Sequence, residues 1–268
     1  MTRWRLIEAL GAVVATVTGL IAAALPVRAG EPACGDGPRT VDKVVSAAAA
    51  AKRLERALDG TGADIAVIAR VGSDLSRHGI SWTHAGIAWR DDPAGRWQVI
   101  HALNDCGGPA SGLYRQGLMN FFLDEPLRYD SLVLVPSPAL RASLAARLAA
   151  GTAASLHHPR YSMLAYPFAT TYQNSNQFVL ENLALAQLGL TGGGRDTAIR
   201  HLRQTRFQPH VVRFTGFERL GGSFKANVRF DDHPRADEQN NRYSVVTVQA
   251  VERWMAATGA LAARVEVR

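Results

Sequence analysis

Residues 81–104 constrain the fold most, because they hold two strand-like runs around a cluster of turn-forming residues. The runs read Ser-Trp-Thr-His-Ala-Gly-Ile-Ala-Trp-Arg and Trp-Gln-Val-Ile-His-Ala-Leu-Asn, with Asp-Asp-Pro-Ala-Gly-Arg between them. β-Branched and aromatic residues on both sides of such a cluster predict a β-hairpin.

The hairpin predicts where its two histidines lie. If residues 91–94 form the loop, Arg90 is opposite Gly95 and His84 is directly opposite His101. A shift of the register by two residues keeps the imidazoles diagonal on one face, whereas a shift by one separates them. Gly86 leaves space beside them. The pair is then either structural, as half-buried histidines on a sheet often are, or part of a functional site.

The rest of the chain predicts an α+β protein. Hydrophobic periodicity, caps and turn residues indicate the other elements, although residues 243–255 fit a strand or a helix equally well. Helices are expected at 40–59, 113–123 and 138–150, from about 174 to Gly189, and at 195–207. Strands are expected at 63–71, 131–135, 209–216 and 222–230.

The N-terminus predicts export. Arg3 and Arg5 precede an apolar run at 9–26, and Val27-Arg28-Ala29 offers small residues for a signal peptidase. Residues 1–29 are therefore expected to be a signal peptide, or else an uncleaved anchor that would be the chain's one contact with a membrane. Both alternatives predict a periplasmic or secreted protein. The net charge of +7 includes no basic run interleaved with aromatic residues, so nucleic-acid binding is not expected.

The chain has two cysteines, Cys34 and Cys106. In an oxidising compartment a small even number is consistent with one disulfide, which would tie the mature N-terminus to the loop after His101. The alternative is a free, reactive Cys106 thiol near His101.

The order of these motifs resembles the circularly permuted branch of the papain-like amidases, the NlpC-type fold, over residues 63–190. The chain also resembles a secreted bacterial domain family of unknown function. In the permuted branch a Thr-His-x-Gly-Ile strand carries the base, the next strand orients it, and a later Tyr-x-Cys-Ser-Glu-x-Val helix start carries the nucleophile. The resemblance implies that His84 is the base, His101 the orienting residue and Ser175 the nucleophile.

Serine in place of the family cysteine leaves several functions open. A serine hydroxyl stays protonated near neutral pH and needs a base such as His84 during attack. By analogy the backbone N–H groups of Ser175 and Gln173 would bind an oxyanion. Ser175 and Asn174 could equally be a plain helix cap. Further substrate-binding residues that we expect around the same cleft are Tyr172, Asn174 and Trp82.

Two function classes follow. The first is a cell-envelope hydrolase or acyltransferase that acts on an amide or ester of a small molecule, peptide or lipid. The second is an inactive papain-like binding or scaffold protein that uses the same cleft. No cofactor is expected, and a metal would require the fold to bring His84 and His101 to His157 or His158, because none of the histidines has helical ligand spacing.

We therefore expect three segments. Residues 1–29 are the signal peptide. Residues 30–194 are a permuted papain-like domain, in which helices pack on an antiparallel sheet. Residues 195–268 are a small mixed C-terminal appendage that packs on it.

Overall fold

The computed structural model describes residues 40–123, 126–223 and 225–268. The expected signal peptide and Cys34 lie outside these ranges, so both stay predictions. Among the described residues, no helix is long and apolar enough to cross a membrane.

The predicted α+β class is confirmed. The strands are β1 (Ile65–Val71), β2 (His84–Trp89), β3 (Gln98–Asn104), β4 (Ser111–Gly117), β5 (Arg128–Pro136), β6 (His210–Arg213), β7 (Arg242–Val245) and β8 (Leu261–Val267). The helices are α1 (Val41–Gly60), α2 (Leu118–Phe122), α3 (Pro138–Ala149), α4 (Ser175–Gln187), α5 (Arg195–Gln204), α6 (Gly216–Ser223), α7 (Arg235–Gln239) and α8 (Val248–Ala257).

Six strands form a central antiparallel sheet in the order β4-β3-β2-β1-β5-β8, and β6 pairs with β7 in a small second sheet. Helices cover the central sheet on both sides. This explains why every residue of β1 is buried and all of them except Arg70 are apolar, since both sets of alternating side chains face a core.

The two faces of the central sheet carry separate cores. On the side called here the α4 face, the alternate residues Val67, Ala85 and Ile87 pack with helices α3, α4, α5 and α8. On the opposite side, called here the α1 face, Ile68 and Ala88 pack with α1 and α2. A side chain in β2 therefore belongs to one core or to the other, according to its place in the alternation.

The histidine hairpin forms, with a register two residues away from the predicted one. Trp89 pairs with Gln98, and the backbone N–H of Trp97 donates to the Arg90 carbonyl, so the loop is six residues long. The Trp97 indole lies in the core on the α1 face, where its Nε1–H donates to Asp59 at 2.7 Å. Because the shift is even, His84 and His101 stay on one face, as predicted.

Two predicted elements are wrong. The expected helix at 113–123 begins only at Leu118, because residues 111–117 pair with β3 instead, with Tyr114 opposite His101. The expected strand at 222–230 does not form in the described residues, since α6 extends to Ser223 and the partner of β6 is β7. Long-range pairing overrides the local patterns in both places.

Residues 195–268 are not an appendage. Strand β8 pairs with β5 along its length and forms one edge of the central sheet. Leu202 of α5 and Trp254 of α8 lie in the same core as α4. The predicted boundary at 194 therefore divides a continuous core, and the C-terminal segment completes the sheet.

Candidate functional site

His84 and His101 meet as predicted. His84 Nε2 lies 2.8 Å from His101 Nδ1, and His101 Nε2 lies 2.9 Å from Gln116 Nε2. With the Gln116 amide as donor, His101 accepts at Nε2 and so carries its proton on Nδ1, which donates to His84. Gly86 permits this arrangement, because a β-carbon there would stand 3.1 Å from the His101 β-carbon.

The imidazole pair is buried and neutral. His101 is fully buried and His84 is 9% exposed, and the Phe121 ring lies against both. Burial holds the pKa of each imidazole well below 6.5, and the positive charge of Arg70 lowers it further. Neutral imidazoles can serve as bases, but these two lie on the side of the sheet that α1 and α2 cover.

The central sheet separates the histidine pair from Ser175. His84 pairs with Arg70 in the alternation that places Ile68 and Ala88 on the α1 face. Helix α4, which begins at Ser175, packs on the opposite face. The fold thus brings His84 and His101 together but does not bring Ser175 to them.

Helix α4 begins with the predicted cap. Asn174 Oδ1 accepts from the Gln177 backbone N–H at 2.8 Å. The Gln177 side chain does not complete the capping box, because its Nε2 donates to the Tyr166 carbonyl. The Ser175 hydroxyl lies within hydrogen-bonding reach of the Tyr161 hydroxyl, whose pKa burial raises to about 12. Tyr161 is therefore a neutral partner for Ser175.

The start of α4 closes one end of a cavity of about 400 Å³, called here the α4 cavity. Its polar end includes Tyr161, Asn174, Ser175 and Asn176. Its walls are mostly apolar and come from β6, β7, α6, the segment after α6 and the loops before β2 and α4. Arg77, His78, Glu218 and Lys225 also line it. Representative wall residues are Ile80, Leu164, Val212, Phe230, Val245 and Val246. A concave apolar site with a few convergent polar groups is typical of small-molecule binding.

The remaining predicted site residues have structural roles. Gln173 is buried, its backbone N–H donates to the Arg160 carbonyl, and it is therefore not available to an oxyanion. The Tyr172 hydroxyl accepts from Arg160 and donates to Asp231. The Trp82 side chain lies in the core. These three side chains do not line the α4 cavity.

A buried ion pair that sequence analysis missed holds the loop before α4. The Arg195 guanidinium donates to both oxygens of Glu181 at 2.9–3.0 Å and to the carbonyls of Thr170 and Tyr172. Glu181 also accepts from Gln173 at 2.6 Å. In sequence, Arg195 looked like one of several cations on an exposed basic helix. The one signal in the sequence is Glu181, an acidic residue within the apolar stretch of α4, since a buried carboxylate needs a partner.

Other clusters remain small. His157 Nε2 lies 3.0 Å from Ser111 Oγ, away from the His84–His101 pair. Across residues 40–123, 126–223 and 225–268 no three or more His, Cys, Asp or Glu side chains are grouped so that they could hold a metal ion.

The comparisons with known proteins identify the family. A family model described as "Uncharacterized protein conserved in bacteria (DUF2145)" matches residues 57–255. The chain belongs to this family. The match extends from the end of α1 to α8, so it includes the histidine pair, the α4 cavity and much of the C-terminal segment. No curated protein and no solved structure matches the chain.

Proposed function

We propose that this protein is a binding protein of the cell envelope that holds a small, largely apolar ligand in the α4 cavity. The observation that carries this proposal is the cavity itself. Its mostly apolar walls end at the first turn of α4, where polar residues line the space that a ligand would fill. Burial of apolar ligand surface would supply the affinity, and the polar end would orient the ligand.

We further propose that the chain is an inactive relative of the permuted papain-like amidases. The order of the His84 strand, the His101 strand and the Asn174–Ser175 helix start supports this relationship. Inactivity is supported by the serine and by its surroundings. Ser175 needs a base for attack, yet its hydroxyl interacts with the Tyr161 hydroxyl, whose raised pKa keeps it neutral, and the His84–His101 pair lies on the other face of the sheet.

The first experiment fills the α4 cavity. Val212 and Val211 are neighbours on β6, but Val212 lines the cavity and Val211 is 39% exposed. In wild-type protein, anilinonaphthalene sulfonate should bind and be displaced by alkyl compounds. The variant Val212→Phe should bind the dye at least about tenfold more weakly, because the added ring occupies the cavity. The matched control Val211→Phe should bind it like the wild type.

The same preparations test the hydrolase alternative. We expect neither labelling by a serine-directed phosphonate nor turnover of esters and amides. Labelling that Ser175→Ala abolishes, together with turnover that His84→Ala abolishes, would contradict the binding proposal. Equal dye affinity in Val212→Phe and Val211→Phe would contradict the choice of cavity.

A further inference from the structure

We infer that the polar end of the α4 cavity recognises an uncharged group that both accepts and donates hydrogen bonds, such as a primary or secondary amide. This inference rests on the proposed binding function and specifies the chemical class of its ligand. It depends on the acceptors and donors that the first turn of α4 leaves without partners.

Asn176 supplies the acceptor. Its Nδ2 donates to the carbonyls of Thr83 and Val246 at 3.4 and 3.3 Å, so the orientation of the amide is determined, because a flipped amide would place its oxygen against both carbonyls. Its Oδ1 is buried and has no partner in the described part of the chain. Asn176 is only 6% exposed and lines the cavity. A buried acceptor of this kind calls for a donor on the ligand.

The backbone supplies the donors. Helix α4 has thirteen residues, and the first N–H groups of a helix have no partner within it. Asn174 satisfies the N–H of Gln177, but among the described residues nothing accepts from the N–H groups of Ser175 or Asn176. A ligand carbonyl placed at this turn would accept from them, favoured by the positive end of the helix dipole.

The acceptor and the donors select against a carboxylate. A carboxylate could accept from the two N–H groups, but it would bring a second negative oxygen toward Asn176 Oδ1 and would leave that acceptor unsatisfied. An ester or a tertiary amide retains the carbonyl but also lacks the donor. A primary or secondary amide satisfies both sides of the site, and its alkyl chain can extend along the apolar walls.

The experiment compares matched ligands on the wild-type protein. Decanamide and N-methyldecanamide should displace the dye at concentrations about tenfold lower than N,N-dimethyldecanamide, methyl decanoate or decanoate. In Asn176→Leu this preference should disappear. The amides that carry an N–H and the compounds that lack one should then displace the dye at similar concentrations, because both meet an apolar side chain. Val211→Phe, which lies outside the cavity, should retain the preference.

The outcomes separate this inference from the proposed function. If all five compounds displace the dye equally, or if decanoate is the tightest, the amide inference fails while the binding function stands. If none displaces a dye whose binding depends on Val212, the amide inference likewise fails. If dye binding is insensitive to Val212→Phe, the binding function itself fails. Should Asn176→Leu not fold, the ligand series on the wild-type protein decides alone.

Discussion

At the scale of single residues, two buried polar groups show how context determines chemistry. His84 and His101 look like a catalytic pair in sequence, yet the Phe121 ring and the α1 core enclose them. Their imidazoles bond each other, and His101 also bonds the Gln116 amide nitrogen, which leaves the Gln116 Oε1 atom buried without a partner in the described residues. Asn176 has the opposite character, since its Oδ1 is buried without a partner beside a cavity. Because Asn176 lines the α4 cavity and Gln116 does not, Asn176 is the better candidate for ligand contact.

The His84 imidazole predicts a pH dependence of stability. Because its pKa in the folded protein is well below 6.5, the unfolded chain takes up a proton first as the pH falls below that value. The free energy of unfolding should therefore decrease with falling pH, by up to about 1.4 kcal/mol per pH unit for each such histidine. His84→Gln should make this decrease shallower by about 1 kcal/mol per unit. Urea unfolding between about pH 7 and pH 5 measures both slopes.

A matched variant controls for the loss of packing. His101→Gln removes the other imidazole, whose pKa is also well below 6.5, and should reduce the slope similarly. If both variants lose stability at neutral pH but keep the wild-type slope, then the pair is protonated in the folded protein and the neutral assignment is wrong.

At the scale of elements, the Arg195–Glu181 pair joins the start of α5 to the middle of α4. Both side chains are almost fully buried, and Arg195 also holds carbonyls of the loop that leads to α4. Burial raises the pKa of Glu181, and the charge of Arg195 opposes that rise. The position of the α4 start, and with it the polar end of the cavity, therefore depends on this contact.

Removal of Arg195 should be costly. In Arg195→Ala, Glu181 would be left buried without its partner, and we expect a loss of about 3–5 kcal/mol in the free energy of unfolding. Arg200 on the same helix is exposed and contacts Thr197, so Arg200→Ala should cost about 0.5 kcal/mol or less. Chemical denaturation of the two variants decides the matter. Equal losses would mean that the ion pair does not stabilise the helix packing.

At the scale of the whole molecule, β8 and the helices of the C-terminal segment complete one continuous fold. The β8 strand covers the edge of β5, which would otherwise be free to pair with other chains. Cys106 lies in the turn between β3 and β4, with a positive φ of 48°. The predicted Cys34–Cys106 disulfide would therefore connect the N-terminal segment to the edge of the sheet opposite β8.

One mass measurement tests export and the disulfide together. Protein isolated from its native host should begin near Gly30 and have a mass two hydrogens below that of the reduced chain. In the chain-entropy model, a loop of roughly 70 residues would stabilise the fold by about 4 kcal/mol. A chain with an intact Met1 would argue against export. Two thiols that react with alkylating reagents in the native protein would argue against the disulfide.

Local interactions made part of this protein predictable from sequence. The Asn174 cap involves residues three apart, and the shared face of His84 and His101 follows from the alternation of side chains in a hairpin. The histidine face was predicted correctly although the register was not, because a shift of two residues preserves the face. The α+β class follows from the same periodicities.

Tertiary structure alone decided which helix covers which face. Alternation shows that His84 and Gly86 point the same way, but not whether α4 or α1 packs there, because that depends on how connections of many residues cross the sheet. For the same reason the pairing of β8 with β5 and the contact of Arg195 with Glu181 could not be predicted. These contacts join residues far apart in the chain. They place Ser175 at the polar end of the α4 cavity and the histidines on the opposite face of the sheet.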